Sequence, residues 1–156
     1  MTIQAKNLVE LLKASSKTCA TAESCTGGMI GSLITAVPGS SDVYLGGVVS
    51  YANSVKENIL GVSNNTLESF GAVSGECARE MALGVKKITG ADIAVSVTGI
   101  AGPGGATDDK PVGLVWFGIA TNDAVRVEKA IFAGSRDDVR KSAAMHALGM
   151  IVVASI

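Results

Sequence analysis

Residues 91–113 read ADIAVSVTGIAGPGGATDDKPVG. The first eight are apolar almost throughout, the pattern of a central strand in a sheet covered on both faces. Then the character changes. Ser96 to Gly113 holds five of the chain's 19 glycines and two of its three prolines. Packing alone asks for no such freedom of the backbone, whereas a ligand held by main-chain N–H groups does. In open sheets ligands gather just outside the carboxyl ends of strands. The stretch therefore predicts a central strand followed by a binding loop.

The rest of the fold is read outward from there. Toward the N-terminus, Ser74 caps a long helix that ends at Gly90. SNNTLESFG is a short helical segment, and Asn53 caps SVKENIL, which Gly61 closes. Val43 to Tyr51 and Thr18 to Ala22 are strand-like. MIGSLITAV is a helix stopped by Pro38-Gly39, and Ala5, Leu8, Val9 and Leu12 make residues 3–15 an amphipathic helix. Toward the C-terminus, VGLVWFGIA and AVRVEKAIF flank TNDA as an antiparallel hairpin. Ser135 and Asp138 form a capping box that opens a last helix running nearly to Ile156. Helices and strands alternate early and a hairpin follows, which predicts an α/β fold with a mixed sheet and helices on both faces.

At 156 residues the chain is expected to be one domain, 1–156, with a core of its own. A net charge of −1 gives no basic footprint for nucleic acid and no attraction to an anionic membrane. No run approaches the ~18 apolar residues of a membrane span, and the start lacks a basic-then-apolar leader, so a cytoplasmic location is expected. Three cysteines without C-x-x-C spacing indicate neither a disulfide frame nor a zinc site, and no metal is expected. Hydrophobic residues reach 47% and SAAMHALGMIVVAS is apolar around much of its helix, so a homo-oligomer using this helix or a neighbouring surface is expected.

Three stretches carry candidate chemistry. The glycine loop fits neither G-x-G-x-x-G nor a P-loop. TAESCTGG repeats its arrangement: strand, polar residues, Gly27-Gly28, helix. That helix start favours an anion such as a phosphate, with Ser24 or Thr26 as ligand or simple cap. In GSSDVYLGGVVSYANSVK a serine precedes a strand, Tyr51 ends it and Lys56 follows. A desolvated lysine activates serine where histidine is lacking. The only histidine, His146, shares an apolar helix face and reads as packed. Asp108-Asp109, beside Lys110, reads as solvated surface.

Together the three stretches resemble the CinA C-terminal domain family, the nicotinamide-nucleotide amidases, in the expected order over nearly the whole chain. The resemblance implies a three-layer α/β/α sandwich. It implies hydrolysis of nicotinamide mononucleotide to nicotinate mononucleotide and ammonia, within pyridine-nucleotide recycling, with no cofactor and no nucleic-acid partner. It also implies a serine–lysine site with a supporting tyrosine: Ser41 as nucleophile, Lys56 as base and Tyr51 as helper, with Ser40 and Ser24 the alternative hydroxyls. The nucleotide would meet Ser24, Thr26, Gly27 and Gly28 on one side. On the other it would meet Thr98, Gly99, Gly102, Gly104 and Gly105, where backbone N–H groups would hold the oxyanion. Arg136 and Arg140, at the start of the last helix, are candidates for the phosphate or simply solvated charge near a cap. The rivals are a non-catalytic nucleotide-binding module connected with competence and a cysteine hydrolase using Cys25.

Overall fold

The strand at the centre of the opening stretch, Ile93–Gly99, is buried from Ile93 through Thr98. It is β3 of a five-stranded sheet in a computed structural model that describes residues 2–156. The elements run α1 (Ile3–Ala14), β1 (Cys19–Glu23), α2 (Met29–Thr35), a 3-10 turn (Ser40–Asp42) and β2 (Tyr44–Val49). Then come α3 (Asn53–Asn58), α4 (Asn64–Phe70), α5 (Gly75–Thr89), β3, β4 (Leu114–Ala120), β5 (Val125–Ile131) and α6 (Arg136–Ser155). The strand order is β2-β1-β3-β4-β5. β2, β1 and β3 are parallel, and β4 and β5 continue the sheet antiparallel.

Alternation divides the strand residues between two layers of helix. Cys19, Val95, Val97 and Phe117 join Leu8 and Leu12 of α1, Ile30 and Ile34 of α2, and Leu148 and Ile151 of α6. Ala20, Ala22 and Ala94 join Cys77, Met81 and Val85 of α5 on the other face. Each fully buried Leu, Ile or Phe contributes roughly 1.5–3 kcal/mol. Small residues on the α5 face let that helix come close: a Cβ on Gly118 would meet the Ala78 carbonyl oxygen at 2.4 Å. Ser96 Oγ donates to the same carbonyl. The fold is thus a mixed sheet between helices, as the alternation predicts.

The caps act as read at Ser74, which accepts from Cys77 N–H, and at Ser135, whose capping box with Asp138 is complete. Asn53 is different. It is the first helical residue of α3, and Ala52 takes the cap position without a side-chain bond. The Asn53 side chain is thereby free for other use.

Candidate active site

The three parallel strands deliver their carboxyl ends to one place. Ser24 N–H donates to Val97 O at 2.9 Å and Ser50 N–H to Glu23 O at 2.8 Å, so the chain leaves β1 wedged between β3 and β2. A cavity of about 220 Å3 opens there, lined among others by Ser24, Tyr51, Lys56, Thr98, Gly99 and Arg136.

Lys56 is 1% exposed. Its Nζ lies 3.0 Å from Ser24 Oγ, 2.6 Å from Ser50 O and 3.3 Å from Tyr51 O. Burial lowers its pKa, opposed in part by the neighbouring Cys77 and Cys25 thiols. A neutral amine has two N–H donors and one lone pair. Two carbonyls and one hydroxyl match that set, so the arrangement suits a lysine that receives the serine proton.

Ser41 is not at this place. It is exposed in the 3-10 turn before β2, while Lys56 lies beyond the other end of that strand. The six residues of β2 separate them, roughly 20 Å at 3.3 Å per residue. The structure brings Ser24, not Ser41, to the lysine. Ser40 is in the same turn as Ser41 and is equally remote.

Tyr51 acts at two points. Its carbonyl accepts from Lys56, and its phenol oxygen accepts from Arg136 Nη2 at 3.0 Å. Its contact with the lysine thus runs through the carbonyl, and its phenol meets the guanidinium. Arg136 Nη1 donates to Gly102 O at 3.0 Å, so one guanidinium joins the β2–α3 loop, the glycine loop and the start of α6. Thr98 Oγ1 donates to Ala72 O at 2.8 Å and retains its lone pairs at the cavity. Gly104 and Gly105 are exposed and outside the cavity lining.

The start of α2 also departs from expectation. Glu23, 1% exposed, accepts from the N–H groups of Gly28 (3.0 Å), Ile30 (3.1 Å) and Gly31 (2.9 Å). An internal carboxylate therefore fills the place offered to a phosphate. Gly28 has φ 98°, so it turns the chain into the helix where a side chain would be strained. Arg140 is occupied too, donating to Cys25 O (3.0 Å) and Thr26 O (3.2 Å). Thr26 is fully buried and Gly27 exposed, and neither lines the cavity.

Cys25 lines the cavity, but burial pushes its thiol up to about 11. His146 packs on Phe117 at 4.5 Å between ring centroids and pairs with Glu128, away from the site. No group of three His, Cys, Asp or Glu side chains among the described residues could hold a metal ion.

Residues 2–154 match the sequence profile of the CinA C-terminal domain. The chain belongs to the CinA C-terminal domain family. A CinA-like protein from Thermotoga maritima is 52% identical over 90% of this chain and 34% of its own length. A CinA-like protein from Petrotoga mobilis is 47% identical over 93% of this chain and 36% of its own length. The chain thus spans about a third of these curated relatives. The crystal structure of competence/damage inducible protein CihA from Agrobacterium tumefaciens superposes with TM-score 0.95 and 37% identity, covering 98% of this chain and 94% of that one. A CinA superfamily protein from Escherichia coli gives TM-score 0.92 and 34% identity over 97% and 87% of the two chains.

The site of this CinA domain also contains residues that the sequence reading passed over. Asn53 lines the cavity, as do Ala72 and Val73 from the α4–α5 connection. Glu23 lies outside the lining but directly precedes Ser24 and holds the start of α2. A carboxylate closing an apolar strand just before a glycine-rich helix start was a usable signal for it; Ala72 and Val73 offered none.

Proposed function

We propose that this CinA domain hydrolyses the carboxamide of nicotinamide mononucleotide, giving nicotinate mononucleotide and ammonia, with Ser24 as nucleophile and Lys56 as general base. The observation that carries this reading is the Lys56 amine, buried at 1% exposure and 3.0 Å from Ser24 Oγ. Lys56 takes the Ser24 proton as Oγ bonds the carboxamide carbon. The Cys25 N–H follows the nucleophile directly and donates to no backbone acceptor among the described residues, so it is assigned to the oxyanion. Lys56 returns its proton to the amide nitrogen as the C–N bond breaks, and ammonia leaves. Water then attacks the acyl carbon, giving its proton to Lys56. The C–Oγ bond breaks, and Ser24 recovers its hydrogen from the lysine.

Asn53 and Thr98 are the polar groups for the substrate amide and ribose, and Arg136 is the phosphate anchor. Its guanidinium uses two N–H groups internally and has three more. The cysteine reading is weaker: with a thiol near 11, about one molecule in 10,000 carries a thiolate at pH 7. A module that only binds nucleotide has no use for a buried lysine, whose burial costs stability. Ammonia release by the purified chain is the test. Stoichiometric nucleotide binding without ammonia would establish the binding module instead.

Two expected results follow from the charges. Lys56 must be neutral to act, so kcat/KM rises with pH through its lowered pKa and levels off below the ordinary lysine value. A pH–rate profile still climbing beyond pH 10 refutes the base assignment. Arg136→Gln raises KM for the mononucleotide by about 10- to 150-fold, the loss of one charged hydrogen bond. It leaves kcat within a few-fold and barely affects nicotinamide riboside. Steady-state kinetics on both substrates read this, and an equal effect on the riboside removes Arg136 from the phosphate.

A further inference from the structure

We infer that β5 is the seam of a symmetric dimer in which two copies of this chain join their sheets edge to edge, antiparallel, about a two-fold axis through Val127. β5 is an edge strand. The bonds Thr121 N–H to Ala124 O and Phe132 N–H to Gly113 O set which of its residues bond to β4. Those are the even-numbered ones. Val125, Val127, Lys129 and Ile131 therefore turn N–H and C=O toward the open edge. An uncovered row of this kind is a template for another strand.

Charge selects the occupant and the register. Arg126, Val127, Glu128 and Lys129 are all exposed. With the axis at Val127, Val127 pairs with the partner's Val127 by two main-chain hydrogen bonds. Arg126 then stands opposite the partner's Glu128, and Glu128 opposite the partner's Arg126. These are non-hydrogen-bonded positions, where side chains are closest. Neighbouring registers are penalised: an axis at 126, 128 or 129 sets Arg on Arg, Glu on Glu or Lys on Lys. Both charges are available. Arg126 makes no hydrogen bond or ion pair among the described residues. Glu128 meets His146 through Oε1 alone. Apolar surface lies along the same edge, with Val127, Ile131 and Val153 exposed. A cavity of about 470 Å3 between β5 and α6, lined by Met145, Met150 and Val153, opens beside it.

The test is sedimentation equilibrium of the whole chain at micromolar concentration, with circular dichroism as the control for folding. The wild type is expected at twice the protomer mass. Arg126→Glu and Glu128→Arg should each weaken dimerisation at least about ten-fold, since each sets like charges face to face twice. The double variant R126E/E128R restores the opposite-charge pairs and should regain the dimer. Oxidised Val127→Cys should form an intermolecular disulfide, because a hydrogen-bonded pair has Cα atoms about 5.5 Å apart. Lys129→Cys should not, its two copies lying roughly 13 Å apart. A wild-type monomer, single variants that keep the dimer, a double variant that stays monomeric, or cross-linking at 129 in place of 127 each overturns the inference.

Discussion

Ser24→Ala is expected to lower kcat for ammonia release from nicotinamide mononucleotide by at least about 1,000-fold, because a nucleophile and its base act as one unit. Lys56→Ala should fall to the same level, and the double variant should be hardly worse than either single. Lys56→Arg should not recover activity. Arginine stays protonated and takes no proton from serine, and the buried amine has only Ser24 Oγ and two carbonyls around it. Ser41→Ala is the contrast: exposed and at the other end of β2, it should leave turnover within about two-fold, as surface substitutions do. Substrate isotherms should be largely unchanged in all of these. A Ser41→Ala enzyme that dies while Ser24→Ala works reverses the assignment.

Glu23→Ala is expected to be the most destabilising single substitution at the site. It removes the acceptor of three N–H groups from a place that is 1% exposed. Hydrogen bonds to charged groups contribute roughly 1.5–3 kcal/mol each, and three sharing one carboxylate do not add in full. A loss of about 3–5 kcal/mol is expected, which lowers Tm by about 10 °C in a chain of this size. Glu23→Gln retains one carbonyl acceptor and should lose about half as much. Because Glu23 immediately precedes Ser24, the alanine variant should also lose activity at temperatures where it is still folded. Thermal melts followed by circular dichroism check this, and a Tm within 2 °C of the wild type refutes it.

The sheet was legible because periodicity is local. ADIAVSVT could hardly be anything but a covered strand, and the hairpin, the Ser74 and Ser135 caps and Gly90 each announce themselves within a few residues. The site was legible only in part. Lys56, Tyr51, Thr98, Gly99 and Arg136 belong to the stretches singled out in the sequence, and they meet at the cavity. Which serine meets the lysine depends on a long-range fact: β1 lies between β2 and β3. That order sets Ser24 beside the end of β2 and leaves Ser41 at its beginning. Glu23 was hidden for a related reason. Its value comes from the N–H groups of a helix start that a single sequence makes equally suitable for an external phosphate. Asn53 reads as a cap because asparagine usually is one at a helix start, and only the position of Ala52 shows otherwise.

The amine at the centre of the site is held by two carbonyls just beyond the end of an edge strand. β2 has a single neighbour in the sheet, carries Gly46-Gly47 and a register shift against β1, and leaves Leu45 and Val49 exposed. Such a strand opens at a small fraction of the cost of global unfolding. When it frays, the Ser50 and Tyr51 carbonyls swing away, and the lysine loses the acceptors that hold it against the serine. Heat inactivation should therefore run ahead of melting, with turnover gone while α5, α6 and β3 still resist hydrogen exchange. Under the proposed mechanism, the lifetime of activity is then set by one edge strand and not by the core.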